Sequence, residues 1–543
     1  MTPDLILLNA NIRTMDAAHP KAQAMAMAAG RILALGSDAD IRATAGKGTR
    51  IVDAGGRLVL PGFQDAHIHL QMGGIDLVQT AQLYEATTIA ELQSALAAHA
   101  AAYTGPMVWG AGWQPGFFGD ENLTRAVLDA VVPDRPCLVY DSNFHNACMN
   151  SAACRMAGVV KGMQDPLNGH VVRGPDGEPT GMLHEEAIGW ATKSLPQTDH
   201  AAHIAGLKAG QAHANRHGIT GVVDPWIVDN LEKAYAELDS AGGLTLRVSG
   251  AAIVRANDTV EGALARLSDI RRRNAGPRFR VNAAKFFMDG GLENRTAAMI
   301  EPYADAPGGN APLMFTPDQT RDFFVALDAA RFQIHVHCIG DMATRATLDG
   351  IEAARAANGF WPAQHQIAHV QITHPDDRPR FGELGVMANM QPLWAAWDPV
   401  IPDVSMDLVG KARLDWVYAF RSLIDAGAPY CINSDWPVST LNPFEIIETA
   451  VTRQASSGTG RREPFIPAES LTVHEAVAGY TTHAARAAWN EDLAGSLARG
   501  KSADFILLDR DIFTCDPYDI GGTKVLLTAL EGQEVWRDPG FDG

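Results

Sequence analysis

Two histidines two residues apart, His67 and His69, close the run PGFQDAHIHL near the beginning of the chain. On a β-strand this spacing turns both imidazoles to the same face. Two neutral imidazoles at the C-terminal end of a strand can bind one divalent ion such as Zn²⁺. Most His-x-His pairs on strands are nevertheless ordinary polar surface or core. The pair therefore indicates a metal site only if further ligands occur elsewhere in the chain.

Short apolar runs that end in polar or turn residues predict the elements that must position such ligands. They are VLPGFQDAH (59–67), ITGVVDP (219–225), TLRVSGAAI (245–253), RVNAAKFFMD (280–289), FQIHVHCIG (332–340), HQIAHVQ (365–371), GVMANMQP (385–392) and PYCINSDW (429–436). Helical segments such as DFFVALDAAR, MATRATLDGIEAARAAN and AFRSLIDAG lie between them. The alternation predicts βα units and a parallel sheet. Eight runs are the number that a closed (β/α)₈ TIM-type barrel needs, so we expect an α/β fold of this kind.

The two ends of the chain contain short strands separated by turns. Because termini often lie close in space, we expect residues 1–58 and 486–543 to form one small β-sandwich domain. Residues 59–485 would then form the barrel. The segment between its first two strands is far longer than one crossover helix, and it includes the strand-like runs MVWGAGW and PCLVYDSNFH. We predict that residues 75–200 form an insertion subdomain over the active-site mouth, with a separate domain as the alternative.

Composition excludes several classes of protein. Apolar residues make up 46% and charged residues 20% of the chain, as in a globular protein with a sizeable core. A net charge of −19 disfavours nucleic acid and anionic membranes as partners. The six cysteines show no CxxC pair, which predicts reduced and mostly buried thiols. The apolar run Leu5–Leu8 is too short for a signal peptide, so we expect a cytoplasmic protein. We also expect a small-molecule substrate, and we leave open whether the chain forms a homodimer.

Taken as a whole, the run PGFQDAHIHL around the two histidines resembles the first-strand signature of the amidohydrolase superfamily. The resemblance implies further ligands at the ends of strands four, five, six and eight. These positions hold Lys285 in VNAAKFFMDGG, His337 in HVHCIGD, His369 in IAHVQ and Asp435 in INSDWPV. The runs KFFMDGGLENRTA, HCIGD, SDWPV and LARGKSADFILLD resemble the YtcJ-like branch, amidohydrolase family 3, which includes N-substituted formamide deformylase. One departure is DSNFH, ending at His145, where the branch usually has an Asp-Gly-His run.

The resemblance also implies roles for these residues. His67, His69 and Asp435 would hold one divalent metal, expected to be Zn²⁺, and His337 and His369 a second. Lys285, carboxylated by CO₂, would bridge the two metals; a mononuclear site is the alternative. The activity implied is hydrolysis of an amide-type C–N bond, N-acyl or N-formyl, by metal-activated hydroxide, with Asp435 passing a proton to the leaving nitrogen. The same centre acting on an ester, lactone or ring amine is the alternative, followed by a non-catalytic binding protein.

Further candidates have ordinary explanations beside the functional one. His145, a third catalytic candidate beside Asp435 and Lys285, would donate a hydrogen bond to the substrate carbonyl or serve in packing. The candidate substrate contacts are Trp113, Gln114, Asp289, Arg295, Gln391 and Trp436. For the aromatic candidates and Trp394 the alternative is core packing, and for Asp289 and Arg295 it is a salt bridge that orders a loop.

Two of the proposed ligands have competing interpretations. His335 lies on the same strand face as His337, and the HCIGD match favours His337 as the ligand, with His335 one layer down in a structural role. Lys285 could be a surface lysine, but it lies in the apolar run AAKFFM, and lysine is rarely buried unless it is paired or modified.

Overall fold

The computed structural model describes residues 2–114, 123–228, 231–306, 308–397, 407–456 and 461–542. The chain divides into two compact units. The first comprises Met1–His69, Gln211–Trp436 and Thr440–Gly543. The second comprises Leu70–Gly210 and Pro437–Ser439.

The centre of the first unit is an eight-stranded parallel sheet. Its barrel strands 1 to 8 are, in chain order, Phe63–Asp65, Ile219–Ile227, Arg247–Ile253, Phe279–Phe287, Gln333–Cys338, Gln366–His369, Met387–Met390 and Tyr430–Ile432. Each strand pairs with its neighbours in the chain. The backbone N–H of Ala66 donates to the carbonyl of Ile432 (3.4 Å) and that of His69 to Trp436 (2.8 Å), which nearly closes the barrel. The predicted (β/α)₈ fold is confirmed.

Helices alternate with these strands along the chain. Their bounds are His200–Arg216, Glu232–Ser240, Val260–Arg273, Pro317–Ala329, Asp341–Asn358, Arg378–Leu384, Phe420–Asp425, Pro443–Thr452, Val473–Ala478 and Ala484–Ala487. The helix Pro317–Ala329 begins with a capping box between Thr316 and Gln319. Phe323 and Phe324 lie in its buried face. Capping and spacing of this kind explain why the predicted helical segments were found where expected.

Both ends of the chain contribute to a smaller pair of sheets. A four-stranded sheet contains Leu5–Leu8, Ala24–Ala28, Arg31–Gly36 and Arg50–Asp53. A six-stranded sheet contains Asn11–Arg13, Lys21–Ala22, Leu58–Pro61, Phe505–Leu508, Val525–Leu530 and Gln533–Arg537. Leu7, Met25, Phe505 and Leu527 belong to one buried apolar cluster. The two terminal segments therefore share an apolar core. The bounds 1–58 and 486–543 of a β-sandwich domain stay a prediction.

The run 59–67 is not one strand, as predicted, but two. Leu58–Pro61 pairs with Phe505–Leu508 in the terminal six-stranded sheet, and Phe63–Asp65 is barrel strand 1. Gly62 lies between them, and a Cβ there would be 2.4 Å from the hydroxyl oxygen of Thr220. Only glycine fits this close approach, which lets the chain pass from one sheet to the other. A continuous apolar run in the sequence gives no sign of this change of sheet.

The second unit has its own mixed sheet of six strands. They are Thr80–Gln82, Val108–Trp113, Cys137–Asp141, Asn146–Met149, Gly169–Arg173 and Pro179–Glu185. Its helices are Leu70–Gln79, Ile89–Ala102, Arg125–Asp129, Ser151–Ala157 and Glu186–Thr192. The strands predicted in MVWGAGW and PCLVYDSNFH are present. The boundaries 75–200 and a position over the active-site mouth stay predictions.

The thiols and the helices bear on two further expectations. All six cysteines are free, and five of them are buried, as the sequence predicted. Within the described ranges, no helix is both long and apolar enough to cross a bilayer.

Candidate metal centre

The segment that follows barrel strand 1 carries His67 and His69, and its backbone is bonded to the neighbouring segments. The N–H of Ile68 donates to the carbonyl of Val223 on strand 2 (3.0 Å). On the other side the N–H of Asp435 donates to the carbonyl of His67 (2.9 Å). The segment is thus held from both sides, and the Nε2 atoms of His67 and His69 both lie near Oδ1 of Asp435. Asp435 is therefore fixed beside them through its backbone.

The side chains of these residues converge. Nε2 of His67 lies 3.5 Å and Nε2 of His69 lies 3.2 Å from Oδ1 of Asp435. Nδ1 of His369, from the end of strand 6, lies 3.8 Å from the other oxygen, Oδ2. One donor atom each from His67, His369 and Asp435 lies within 4.8 Å of the others. The ring of His337 lies 4.3 Å from that of His369, centroid to centroid. Two nitrogens and a carboxylate in this arrangement can hold a divalent cation.

Lys285 lies on strand 4, directly opposite His335 on strand 5. Its side chain is fully buried, and Nζ has no hydrogen-bond partner within the described residues. The ring of Phe287 is 4.7 Å from Nζ. Burial lowers the pKa of Lys285 to about 7, although the charge of Asp435 opposes the shift. The predicted alternative of a surface lysine is wrong.

Burial and charge fix the ionisation of the other groups. Burial, reinforced by the charge of Lys285, holds the pKa of His67 well below its usual value, so its imidazole is neutral and can act as a donor. Burial by itself would raise the pKa of Asp435. A hydrogen bond from His69 and the positive charges around it outweigh that effect and lower the pKa of the carboxyl group. The site therefore presents the neutral imidazole of His67 beside the ionised carboxylate of Asp435.

Two of the converging residues have strained backbones. His369 has φ +78° and Asp435 has φ +56°, in a region that non-glycine residues rarely occupy. Such conformations persist only where surrounding contacts impose them, and they cluster at functional sites.

Asp65, in the PGFQDAH run, forms hydrogen bonds with two backbone segments that carry candidate ligands. Its carboxylate accepts hydrogen bonds from the N–H of His67 (3.1 Å) and of Ser434 (3.2 Å). Burial raises the pKa of Asp65 to about 7. By bonding to both segments, Asp65 joins the end of strand 1 to the segment that carries Asp435.

Three of the candidate substrate contacts, Gln391, Trp436 and Arg295, lie in the first unit and contact other side chains of the protein. Oε1 of Gln391 lies 3.0 Å from Nδ1 of His369, and the ring of Trp436 packs 5.5 Å from that of His213. Arg295 forms an ion pair with Asp305. A substrate role for these residues stays a prediction.

Asp289, a fourth candidate, is fully buried and accepts three backbone N–H bonds. The donors are Ala298 (2.9 Å), Ile339 (3.0 Å) and Gly340 (2.7 Å). These bonds join the loop after strand 4 to the loop after strand 5. The sequence considered a salt bridge that orders this loop. Arg295 forms one with Asp305, whereas Asp289 contributes through these backbone hydrogen bonds.

The remaining candidates belong to the second unit. Trp113 is buried in an apolar cluster of that unit, and Oε1 of Gln114 accepts a hydrogen bond from Ser142 (3.1 Å). Nδ1 of His145 lies 2.8 Å from a carboxylate oxygen of Glu185. Their functional roles stay predictions.

Three aromatic side chains lie beside the histidines, and of these the sequence singled out Trp394 but not Trp226 or Phe287. The ring of Trp226 lies 5.9 Å from His69, and that of Phe287 lies 4.9 Å from His337. Trp394 stacks on His369 at 5.8 Å with nearly parallel planes. Trp226 and Phe287 are at the C-terminal ends of barrel strands, where a barrel carries its site, and this position was the available signal.

The donors fit the divalent metal that the resemblance implies. Imidazole nitrogens and a carboxylate oxygen are the ligands of Zn²⁺ and its neighbours in the first transition series. The buried Nζ of Lys285 adds a polar atom without a hydrogen-bond partner in the described part of the chain. An isolated polar atom of this kind is costly unless a further group completes its surroundings.

Comparison with known proteins identifies the family to which this chain belongs. The sequence profile of the amidohydrolase family matches residues 50–536. The Arabidopsis thaliana protein LONG AFTER FAR-RED 3 is 30% identical over 98% of this chain and 91% of its own. N-substituted formamide deformylase of Arthrobacter pascens is 27% identical over 97% of each chain. A crystal structure of an uncharacterized metal-dependent hydrolase from Pyrococcus horikoshii covers 94% of this chain and 99% of its own, at 25% identity and a TM-score of 0.77. This chain belongs to the amidohydrolase family.

Proposed function

We propose that this protein is a metal-dependent hydrolase that cleaves the C–N bond of a small amide, such as an N-acyl or N-formyl amine. The family and the metal-dependent hydrolase among its structural neighbours support a hydrolase. The observation that carries the proposal is the convergence of His67, His69 and His369 on the carboxylate of Asp435, in a barrel that also buries Lys285. The similarity to N-substituted formamide deformylase supports an amide as the substrate.

The residues that would hold the metal are His67, His69, His337, His369 and Asp435. A divalent ion such as Zn²⁺ bound there would lower the pKa of a water molecule to about 7 and polarise a carbonyl oxygen. The nitrogen-rich donor set favours Zn²⁺ over Mg²⁺ or Ca²⁺, which prefer oxygen ligands.

Lys285 would complete the ligand set as a carbamate. With a pKa of about 7, a large fraction of the amine is neutral at physiological pH and can act as a nucleophile. Its lone pair would attack the carbon of CO₂, form an N–C bond and lose a proton to water. The product is an anion with two donor oxygens. This modification turns a residue that would repel a cation into one that binds it.

Asp435 would act as the proton carrier. Its low pKa keeps the carboxylate ionised, so it can accept the proton of the attacking water. It would then donate that proton to the leaving nitrogen as the C–N bond breaks. Aromatic side chains beside the histidines, among them Trp226 and Trp394, would exclude bulk water from the reacting group.

The test combines metal analysis with a substrate screen. Purified wild-type protein is analysed for bound metal and assayed against matched amides and esters. Lys285→Ala is analysed in parallel, with Lys161→Ala as the control, because Lys161 is an exposed lysine of the second unit. We expect one or two metals per chain and a preference for amides, with metal and turnover lost in Lys285→Ala and kept in Lys161→Ala.

Other outcomes have defined meanings. Wild-type protein that binds no divalent metal contradicts the proposal. A preference for esters or lactones rejects the C–N bond as the target while it leaves the metal centre in place. One metal per chain supports the mononuclear alternative over the dinuclear one.

A further inference from the structure

His335 contacts a candidate ligand from inside the barrel. It lies on strand 5, two residues before His337, and its side chain is completely buried. Nε2 of His335 is 2.8 Å from Nδ1 of His67, and the two rings are 4.8 Å apart. The sequence placed His335 one layer down in a structural role and gave no contact for it.

The two nitrogens of His67 face different partners. Nε2 lies 3.5 Å from Oδ1 of Asp435, in the candidate centre, and Nδ1 lies against His335. An imidazole that binds a metal through Nε2 must carry its proton on Nδ1. That proton needs an acceptor, and in the described structure the nitrogen of His335 is the group in hydrogen-bonding position. A ligand of this kind usually donates its second nitrogen to such a partner, which fixes its tautomer and orientation.

We infer that His335 is a positioning residue that accepts the Nδ1–H of His67 and thereby presents Nε2 of His67 to the metal. The inference rests on the proposed metal-dependent function. His335 then carries its own proton on Nδ1. His69 differs from His67 here, because its Nδ1 has no hydrogen-bond partner among the described residues. The protein therefore sets the tautomer of His67 through His335. Within the described part of the chain, no contact of this kind sets the tautomer of His69.

Two substitutions separate a hydrogen bond from simple packing. His335→Phe keeps an aromatic ring in the space but removes the acceptor. His335→Gln keeps an acceptor, because the amide oxygen can take the place of Nε2. The control is His365→Gln. His365 is equally buried, but within the described residues its ring nitrogens bond to other groups than the candidate ligands: Nε2 to Asp328 (2.9 Å), and Nδ1 to the N–H of Ile334 (3.0 Å), from which it accepts.

The measurement is the affinity of the metal-free full-length chain for Zn²⁺, by competition with a chromophoric chelator at fixed pH. Thermal unfolding of the same metal-free samples is recorded alongside. We expect His335→Phe to weaken Zn²⁺ binding about 10- to 100-fold, the usual effect of losing such a partner. His335→Gln should bind Zn²⁺ nearly as tightly as the wild type. His365→Gln should unfold at a lower temperature with unchanged Zn²⁺ affinity.

Either of two affinity results would overturn the inference: wild-type affinity in His335→Phe, or an equal loss in the Phe and Gln variants. If His335→Phe does not fold, ¹⁵N NMR of histidine-labelled, Zn²⁺-loaded wild type decides, with signals assigned by their loss in His335→Gln. A proton on Nδ1 of His335 supports the inference, and a proton on its Nε2 rejects it. Failure of wild-type protein to bind Zn²⁺ or any other divalent metal would instead reject the proposed function, so the two failures are distinguishable.

Discussion

Lys285 lies fully buried on barrel strand 4, with the ring of Phe287 4.7 Å from its Nζ. Burial disfavours the charged ammonium and lowers its pKa to about 7, whereas in an unfolded chain it is about 10.4. Without metal and CO₂ the lysine is therefore a source of instability. Residues whose pKa is strongly shifted by burial cluster at functional sites.

Comparing the stability of metal-free wild type and Lys285→Met as a function of pH tests whether the buried lysine destabilises the folded state. Between pH 7 and about 10.4 the unfolded chain keeps the proton that the folded chain has lost, so the stability of the wild type rises with pH in this window. Below pH 7 both states are protonated and this contribution is flat. The Met variant lacks this contribution at every pH. We expect it to be more stable than the wild type at pH 6.5, by roughly 3 kcal/mol more than at pH 10.

Chemical denaturation in CO₂-free buffer with a chelator measures the difference between the two proteins. Taking the difference removes the titration of all other groups. Denaturation curves whose separation is constant from pH 6.5 to pH 10 would contradict the assignment of a lowered pKa to Lys285.

At the scale of elements, barrel strands 5 to 8 are linked by a chain of side-chain amides. Nε2 of Gln366 donates to Oε1 of Gln333 (3.1 Å), and Oε1 of Gln366 accepts from Asn389 (2.8 Å). Asn389 in turn accepts a bond from Asn433, two residues before Asp435. All four amides are buried, so each bond satisfies groups that have no access to water. The chain fixes the strands that carry His337, His369 and Asp435 relative to one another.

Gln366→Leu should therefore destabilise the protein more than its change in size suggests. It removes the donor to Gln333 and the acceptor for Asn389, and an unsatisfied buried polar group costs about 1–3 kcal/mol. We expect a loss of at least about 2 kcal/mol in urea denaturation. The control is Ile367→Val, the next residue of the same strand, at about 0.5–1.5 kcal/mol. Equal losses for the two variants would show that the amide chain adds no stability.

At the scale of the molecule, one buried arginine joins the barrel to the C-terminal part of the chain. Arg247, at the start of barrel strand 3, pairs with Asp504 and with Glu531 (2.8 Å) and also donates to Ser502 (2.9 Å). Asp504 precedes the strand Phe505–Leu508, which pairs with Leu58–Pro61 just before barrel strand 1. The small sheets are thus tied to the barrel from both ends of the chain, within the first unit.

Arg247→Met should weaken this connection strongly. Removing one partner of a buried ion pair leaves the other charge uncompensated and typically costs about 3–5 kcal/mol. The matched control is Arg272→Met, because Arg272 pairs with Asp269 on an exposed helix face, where such pairs contribute about 1 kcal/mol or less. Thermal unfolding of both variants provides the comparison. A Tm for Arg247→Met close to that of Arg272→Met would show that the connection is not important for stability.

The sequence by itself predicted the barrel, and its resemblance to the amidohydrolase superfamily supplied the candidate ligands. The eight strands follow from apolar runs that alternate with amphipathic helices, and this pattern is local. The ends of parallel strands meet at one rim, so His67, His369 and Asp435 could be expected to converge although they are far apart in the sequence. The buried position of Lys285 also followed from its apolar neighbours.

Only the tertiary structure decided the contacts that orient these residues. The contact between His335 and His67, the three backbone bonds of Asp289 and the pairing of Arg247 with Asp504 join residues distant in the sequence. The break of the run 59–67 at Gly62 depends on the close approach of Thr220, which no local pattern encodes. Periodicity specifies which face of a strand a side chain occupies. Hydrogen bonds require atoms to be placed within tenths of an ångström, and that placement depends on how the strands pack together.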